Sequence, residues 1–158
     1  MTTMQREWFS YSVEETYQIA QEVGSFLDEG KISPWIFLKG DIGSGKTTFV
    51  RGLLASWGIT EGVCSPTFSI IHHYPHPEKS IYHVDLYRLR SSEEGETIGL
   101  YELFQPGSLV LVEWPEILER EFYFPHTTIA FSYGEEENAR YIFLTSDGSS
   151  STNYQSIL

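Results

Sequence analysis

At 158 residues the chain has single-domain length, and its 41% apolar and 20% charged residues describe an ordinary soluble globular protein. With 22 acidic residues against 10 basic ones, the net charge of −12 opposes an unaided electrostatic grip on a nucleic-acid backbone, although simple solubility accounts for the larger part of it. Cys64 is the only cysteine, which excludes an internal disulfide and a cysteine-based zinc site and suits a reducing compartment. Met1 to Ser10 has no basic segment followed by an apolar one, and no apolar run approaches the ~20 residues that span a bilayer, so a cytoplasmic location and no membrane partner are expected.

Ser12-Val13-Glu14-Glu15 reads as a capping box, after which Val13, Tyr17, Ala20, Val23 and Leu27 recur at helical spacing, predicting a helix that ends near Gly30. Trp35-Ile36-Phe37-Leu38 is a short continuous apolar run, as in a strand buried on both faces. It leads into Gly40-Asp41-Ile42-Gly43-Ser44-Gly45-Lys46-Thr47, which fits the phosphate-binding P-loop at every fixed position. A helix opening at Lys46 should carry the apolar stripe Phe49, Val50, Leu53, Leu54 and Trp57 and stop at Gly58.

Beyond Ser65-Pro66-Thr67-Phe68, the segments Ser69 to Tyr74 and Ile81 to Asp85 read as paired strands. A polar stretch from Ser91 to Glu96 then precedes a short amphipathic helix around Ile98 to Phe104 and a turn at Pro106-Gly107. Leu109 to Val112 is the strongest strand signal and reads as a central strand ending at Glu113-Trp114-Pro115. Thr127 to Tyr133 and Arg140 to Thr145 look like a final antiparallel pair joined around Gly134 to Asn138, and the Ser-rich tail from Ser146 to Leu158 is expected to be loosely held. No internal repeat is present.

The loop's residue types match its chemistry. Backbone N–H groups can wrap a polyphosphate only where side chains do not block the approach and positive φ is tolerated, as at Gly40, Gly43 and Gly45. The helix opening at Lys46 aims its unpaired N–H groups and positive dipole end at the same anion. Lys46 should reach the β- and γ-phosphates and the Thr47 hydroxyl should ligate Mg²⁺, so a nucleoside triphosphate is the expected ligand. A Gly-rich turn that binds nothing is the alternative, and the lysine and hydroxyl in register weigh against it.

Such sites also need a carboxylate at the end of a buried strand beside the P-loop strand. Glu113 ends the longer apolar run and is favoured for the magnesium side. Asp85 ends a more amphipathic strand expected nearer an edge and is read as a second carboxylate that orients water or a loop. Either could instead cap a turn. Thr67 lies where switch NTPases place a loop that responds to the γ-phosphate, although an ordinary Ser-Pro turn fits equally well. His72, His73, His76 and His83 could suggest zinc, but their spacing fits no common site and strand alternation sends His72 and His73 to opposite faces.

Taken together, GDIGSGKTTFVRGLL at Gly40 to Leu54, SPTF at Ser65 to Phe68, HVDLYRL at His83 to Leu89, IGLYELF at Ile98 to Phe104 and LVEWPE at residues 111–116 span most of the chain. In this order and spacing the chain resembles the bacterial TsaE (YjeE) proteins. These are small P-loop ATPases required for making threonylcarbamoyladenosine, the modified base beside the anticodon of tRNAs that read codons beginning with A. The resemblance implies an α/β P-loop NTPase fold in one domain over 1–145, with a tail at 146–158. It also implies a mixed, mostly parallel central sheet flanked by helices, with antiparallel strands on the C-terminal side.

Carried onto matching positions, the resemblance implies that residues 43–48, Thr48 included, cradle the ATP phosphates, with Thr47 and Glu113 as magnesium ligands. Thr67 would be the switch threonine, Asp85 a second functional carboxylate, and Trp114 a neighbour of the nucleotide pocket. Ser12 to Thr16 and Arg140 fall where family members contact nucleotide. The implied partners are TsaD and TsaB proteins, with tRNA reached through them, and Mg²⁺-dependent ATP hydrolysis would drive their cycle. Two rivals are a small-molecule kinase, for which the six scattered arginines suggest no lid, and a nucleotide-gated binding module that does not hydrolyse ATP. A GTPase is disfavoured because no Asn-Lys-x-Asp segment is present.

Overall fold

The computed structural model describes residues 3–63, 70–122 and 124–147, and the following statements concern those residues. Trp35, Ile36, Phe37 and Leu38 are each at most 1% exposed, which requires cover on both faces of their strand, β2 (Trp35–Lys39). β2 lies in a seven-stranded sheet with β1 (Met4–Ser10), β3 (Ile71–Pro75), β4 (Ser80–Asp85), β5 (Ser108–Glu113), β6 (Thr127–Tyr133) and β7 (Arg140–Ser146). The strand order is β1-β7-β6-β2-β5-β4-β3. The four central strands β6, β2, β5 and β4 are parallel, whereas β7 and β1 on one side and β3 on the other are antiparallel to their neighbours.

Alternation along the strands builds two cores. On one face Ile36, Leu38, Ile81, Leu109, Leu111, Ile129, Phe131, Ile142 and Leu144 pack against α1 (Val13–Asp28) and α2 (Lys46–Ala55), which contribute Ile19, Ala20, Val23, Phe49, Val50, Leu53 and Leu54. On the other, Trp35, Phe37, Val84, Val110 and Val112 meet an aromatic cluster with Phe104, Phe122 and Phe124. Trp35 meets these three rings edge-on at centroid distances of 5.6, 5.9 and 6.4 Å.

The first helix begins at the expected cap: the Glu15 backbone N–H donates to Ser12 Oγ (3.1 Å), and Glu15 Oε1 accepts from the Tyr11 N–H (3.0 Å). Strand β1 is not anticipated by the sequence reading. Only Ser10 of its residues is buried, so it carries little apolar signal, and its place as an edge strand comes from pairing with β7. The helix expected around Ile98 to Phe104 sits earlier. α3 spans Ser92–Thr97, then Gly99 at φ 77° breaks the chain and a 3-10 turn follows at Leu100–Leu103. Polar residues dominate α3 because only Gly95 in it is buried, which hides it from apolar periodicity. A further turn of helix, α4 (Glu116–Glu119), is held to the end of β2 by the Lys39–Glu119 ion pair at 3.0 Å.

The boundary placed between 145 and 146 falls inside β7. Ser146 is fully buried, with its Oγ accepting from the Ser33 N–H (3.2 Å) and the Thr127 hydroxyl (2.9 Å). Residues 148–158, most of the expected tail, lie outside the described residues.

α1 and α2 cross where Gly52 meets Tyr17: a Cβ at position 52 would stand 2.9 Å from Tyr17 Cα and 3.1 Å from Ala20 Cβ. Backbone cannot yield as a side-chain tip can. Gly52→Ala should therefore destabilise the protein by about 1–3 kcal/mol in chemical denaturation, despite alanine's better helix propensity. A neutral or stabilising effect would mean that the helices separate without cost.

Candidate nucleotide site

Chain direction places the site. β2 ends at Lys39, the loop turns through Gly40 to Gly45, and α2 opens at Lys46 with Gly45 as its N-cap, so no side chain caps the first N–H groups. Gly40 and Gly45 have φ of 149° and 111°, and a Cβ on Gly40 would stand 2.6 Å from Ser44 Oγ and 2.8 Å from the Phe131 carbonyl oxygen. The C-terminal hairpin holds the loop from outside. Tyr133 Oη donates to the Ile42 carbonyl (2.6 Å) and Arg140 Nη2 to the Gly43 carbonyl (3.2 Å), with the guanidinium 4.7 Å from the Tyr133 ring centroid.

Under the loop lies a cavity of about 510 Å³, a volume suited to a nucleotide-sized ligand. Lys46 lines it at 5% exposure, and its Nζ has no hydrogen-bond partner among the described residues and stands 3.9 Å from the centroid of the Trp114 ring. Burial pushes the Lys46 ammonium below the usual lysine range, opposed first by the charge of Glu113 and then by that of Asp85. A buried ammonium without a hydrogen-bonded counterion is costly, and an anion entering this cavity would relieve that cost.

The carboxylates arrive by register. β4 and β5 run parallel with Asp85 opposite Glu113, and β5 and β2 run parallel with Glu113 opposite Leu38. Glu113 is 3% exposed and its Oε2 accepts from His83 Nε2 at 2.6 Å. Asp85 Oδ1 accepts from the Tyr87 N–H at 2.9 Å. Desolvation raises the Asp85 carboxyl above its usual range, the Tyr87 hydrogen bond pulls the other way, and the neighbouring Glu113 adds to the rise. After Glu113 the chain turns through Trp114, the one non-glycine residue with positive φ (55°) among the described residues. Its indole packs on Tyr87 at 5.0 Å. A bulky side chain in this backbone region is strained, as is common where structure serves a site.

Of the residues singled out by sequence, Ser12, Ile42, Gly43, Gly45, Lys46, Thr47, Thr48, Asp85, Glu113, Trp114 and Arg140 all line this cavity. Gly40, Asp41 and Ser44 do not. Gly40 packs on Phe131, Asp41 is exposed, and the Ser44 hydroxyl is buried beneath the loop with no hydrogen-bond partner among the described residues. Thr67 and the rest of the SPTF segment lie outside the described residues. Asp85's strand is next to an edge, between β5 and β3, and its last three residues are buried.

Val13 and Thr16, also on the cavity wall, fall in the stretch singled out from Ser12 to Thr16, whereas the sequence reading missed Ile70, Tyr87, Arg88 and Asn138 on the same wall. Arg88 and Arg140, read there as scattered, both face it. Of the four histidines, His72 stands opposite His83 in the β3–β4 pairing and is edge-on to Tyr74, His73 stacks on Tyr82, His76 Nδ1 accepts from the Glu78 N–H, and His83 meets Glu113. Strand parity was the available signal for His83, because it shares a face with Asp85 two residues on.

The raised Asp85 carboxyl makes ionisation a cost to the folded chain. Below about pH 3.8, the ordinary value, the group is protonated folded or unfolded and costs nothing; as pH rises through the higher folded value, stability is lost. Asp85→Asn keeps the Oδ1 acceptor and removes the charge. Its unfolding midpoint relative to wild type should climb from acid to neutral pH in the ligand-free protein, and a difference independent of pH would contradict this electrostatic account.

Known proteins resemble this chain in sequence and in fold. The family model described as "Threonylcarbamoyl adenosine biosynthesis protein TsaE" matches residues 10–142. The tRNA threonylcarbamoyladenosine biosynthesis protein TsaE of Bacillus subtilis (strain 168) is 39% identical over 117 residues, covering 74% of this chain and 71% of that protein. Its counterpart of the same description in Treponema pallidum (strain Nichols) is 36% identical over 123 residues, 78% of this chain and 87% of that one. The crystal structure of Bacillus subtilis YdiB superposes with a TM-score of 0.68 at 29% identity, covering 92% of this chain and 88% of that chain. The seven-stranded sheet, the P-loop and these matches lead to one conclusion: the chain belongs to the TsaE family of tRNA threonylcarbamoyladenosine biosynthesis.

Proposed function

We propose that the chain is a Mg²⁺-dependent ATPase that serves threonylcarbamoyladenosine formation on tRNA by driving the cycle of a TsaD–TsaB-type complex. The observation that carries this reading is the buried Lys46 ammonium, without a hydrogen-bond partner among the described residues, in a cavity shared with Thr47, Asp85 and Glu113. The donors fit the ligands: a cationic nitrogen at the start of a helix suits a polyphosphate, and a hydroxyl with a carboxylate suits a hard, oxygen-seeking cation. Among the described residues no group of three or more His, Cys, Asp or Glu is arranged to hold a metal.

In this mechanism Gly43, Gly45 and the first N–H groups of α2 hold the phosphates, and Lys46 offsets charge that develops on the β–γ bridging oxygen and the γ-phosphoryl group. Thr47 and Glu113 hold the cation, which when bound draws charge from the phosphates and aligns them. Water attacks the γ-phosphorus in line, the bond to the bridging oxygen breaks, and ADP and phosphate leave. Asp85 orients water or a loop, Trp114 walls the pocket, and Thr67 senses the γ-phosphate. Ser12 and Arg140, which line the cavity, contact the nucleoside in this reading. A charge of −12 suits a component that reaches tRNA through partner proteins.

Hydrolysis measured with and without the TsaD–TsaB-type complex tests the function. Slow turnover that rises on adding the complex is expected. Phosphate transfer to a small molecule without partners would instead make the chain a kinase, and ATP retained intact in a single-turnover assay with partners would make it a binding module. Lys46→Ala should remove most nucleotide affinity by calorimetry; tight ATP binding in that variant would rule out the phosphate role of the loop. Thr67→Ala should leave ADP affinity intact while slowing hydrolysis, and equal losses of both would rule out a switch.

A further inference from the structure

We infer that His83 is a positioning residue for Glu113, holding one carboxylate oxygen so that the other is presented to the divalent cation; this rests on the reading of Glu113 as a cation ligand. His83 lies on β4 opposite Leu111 of β5, and Asp85 and Glu113 follow two residues further along on the same face. Its ring is fully buried, in a row whose preceding members, Ile81 and Leu109, are apolar. An ionised carboxylate can only accept, so at 2.6 Å Nε2 carries the proton and donates to Glu113 Oε2. Nδ1 has no hydrogen-bond partner among the described residues. Among those residues, the bond to Glu113 is therefore the one hydrogen bond that offsets burial of a polar ring.

A residue needed only for volume would be apolar here, like Ile81 and Leu111. What imidazole adds is a rigid donor. The terminal torsion of a glutamate is broad, so an unsupported carboxylate samples many planes. Donation into Oε2 selects one of them and leaves Oε1 for another bond. Partners that orient a metal's carboxylate ligand characteristically control affinity by about 10- to 100-fold when removed.

The test uses the full chain with β,γ-imido ATP bound, titrated with Mn²⁺ and followed by loss of the free-ion paramagnetic resonance signal. Two substitutions separate donor from volume: His83→Phe fills the space without a donor, and His83→Gln restores an N–H near the Nε2 position. His83→Phe should weaken Mn²⁺ binding about 10- to 100-fold, leave analogue affinity in EDTA unchanged, and add no loss on top of Glu113→Gln. His83→Gln should recover most of the Mn²⁺ affinity. If the phenylalanine variant fails to unfold cooperatively, His83→Met replaces it as the variant with volume and no donor.

Wild-type Mn²⁺ affinity in the donor-less variant, with Glu113→Gln impaired, would overturn the role of His83 alone. Equal losses in the Gln variant and the donor-less variant would also overturn it, since shape would then be the cause. Wild-type affinity in Glu113→Gln would overturn the reading of Glu113 itself, and this inference with it.

Discussion

Parallel pairing of β2 with β5, and of β5 with β4, is the constraint on which the site depends. Parallel strands end at the same edge of a sheet, and the register sets Leu38, Glu113 and Asp85 side by side at that edge. The phosphate loop therefore leaves β2 at the level where two carboxylates finish their own strands. Ligands of open α/β sheets gather at such carboxyl ends for this reason. An antiparallel partner for β2 would bring the start of a strand to this edge, with different side chains.

Electrostatics makes the arrangement costly without a ligand. Lys46 is buried with no hydrogen-bond partner among the described residues, Asp85 is harder to ionise than an exposed aspartate, and Trp114 is held in a backbone conformation that disfavours side chains. Each lowers the stability of the free protein, and each is kept where the chain meets the cavity. The two cores supply the compensation. β2 and β5 are buried along nearly their whole lengths, so the strands that lead into the phosphate loop and into Trp114 are firmly anchored, and Asp85 ends β4 against the buried β5.

The antiparallel margin has a separate task. β6 and β7 bring Tyr133 and Arg140 against two carbonyls of the phosphate loop, and β1 extends the sheet beyond β7. Ser10, the last residue of β1, bonds the Thr16 hydroxyl of α1 at 2.8 Å, which ties that edge to the helix whose start lines the cavity. The nucleotide side is thus assembled from segments more than 90 positions apart, as Tyr133 and Ile42 show.

Local chemistry was enough for part of this. The glycines, lysine and hydroxyl of Gly40 to Thr47 declare a phosphate loop because the demand is on backbone freedom and adjacent side chains, both of which sequence displays. The apolar runs at residues 35–38 and 109–112 likewise declare buried strands, and Glu113 at the end of one was legible as the carboxylate beside the loop. Strand β1 and helix α3 were not legible, because exposed or polar elements lack the periodicity that burial imposes. Nor were Tyr133, Arg88 and Asn138 legible as neighbours of the site, or His83 as the partner of Glu113, 30 residues away. Those relations depend on which strands pair and in what register, and long-range pairing is set by the fit of whole faces instead of by any local run. The sequence alone determined the kind of anion the loop accepts and the carboxylates beside it; the tertiary structure decided which imidazole and hairpin stand around them.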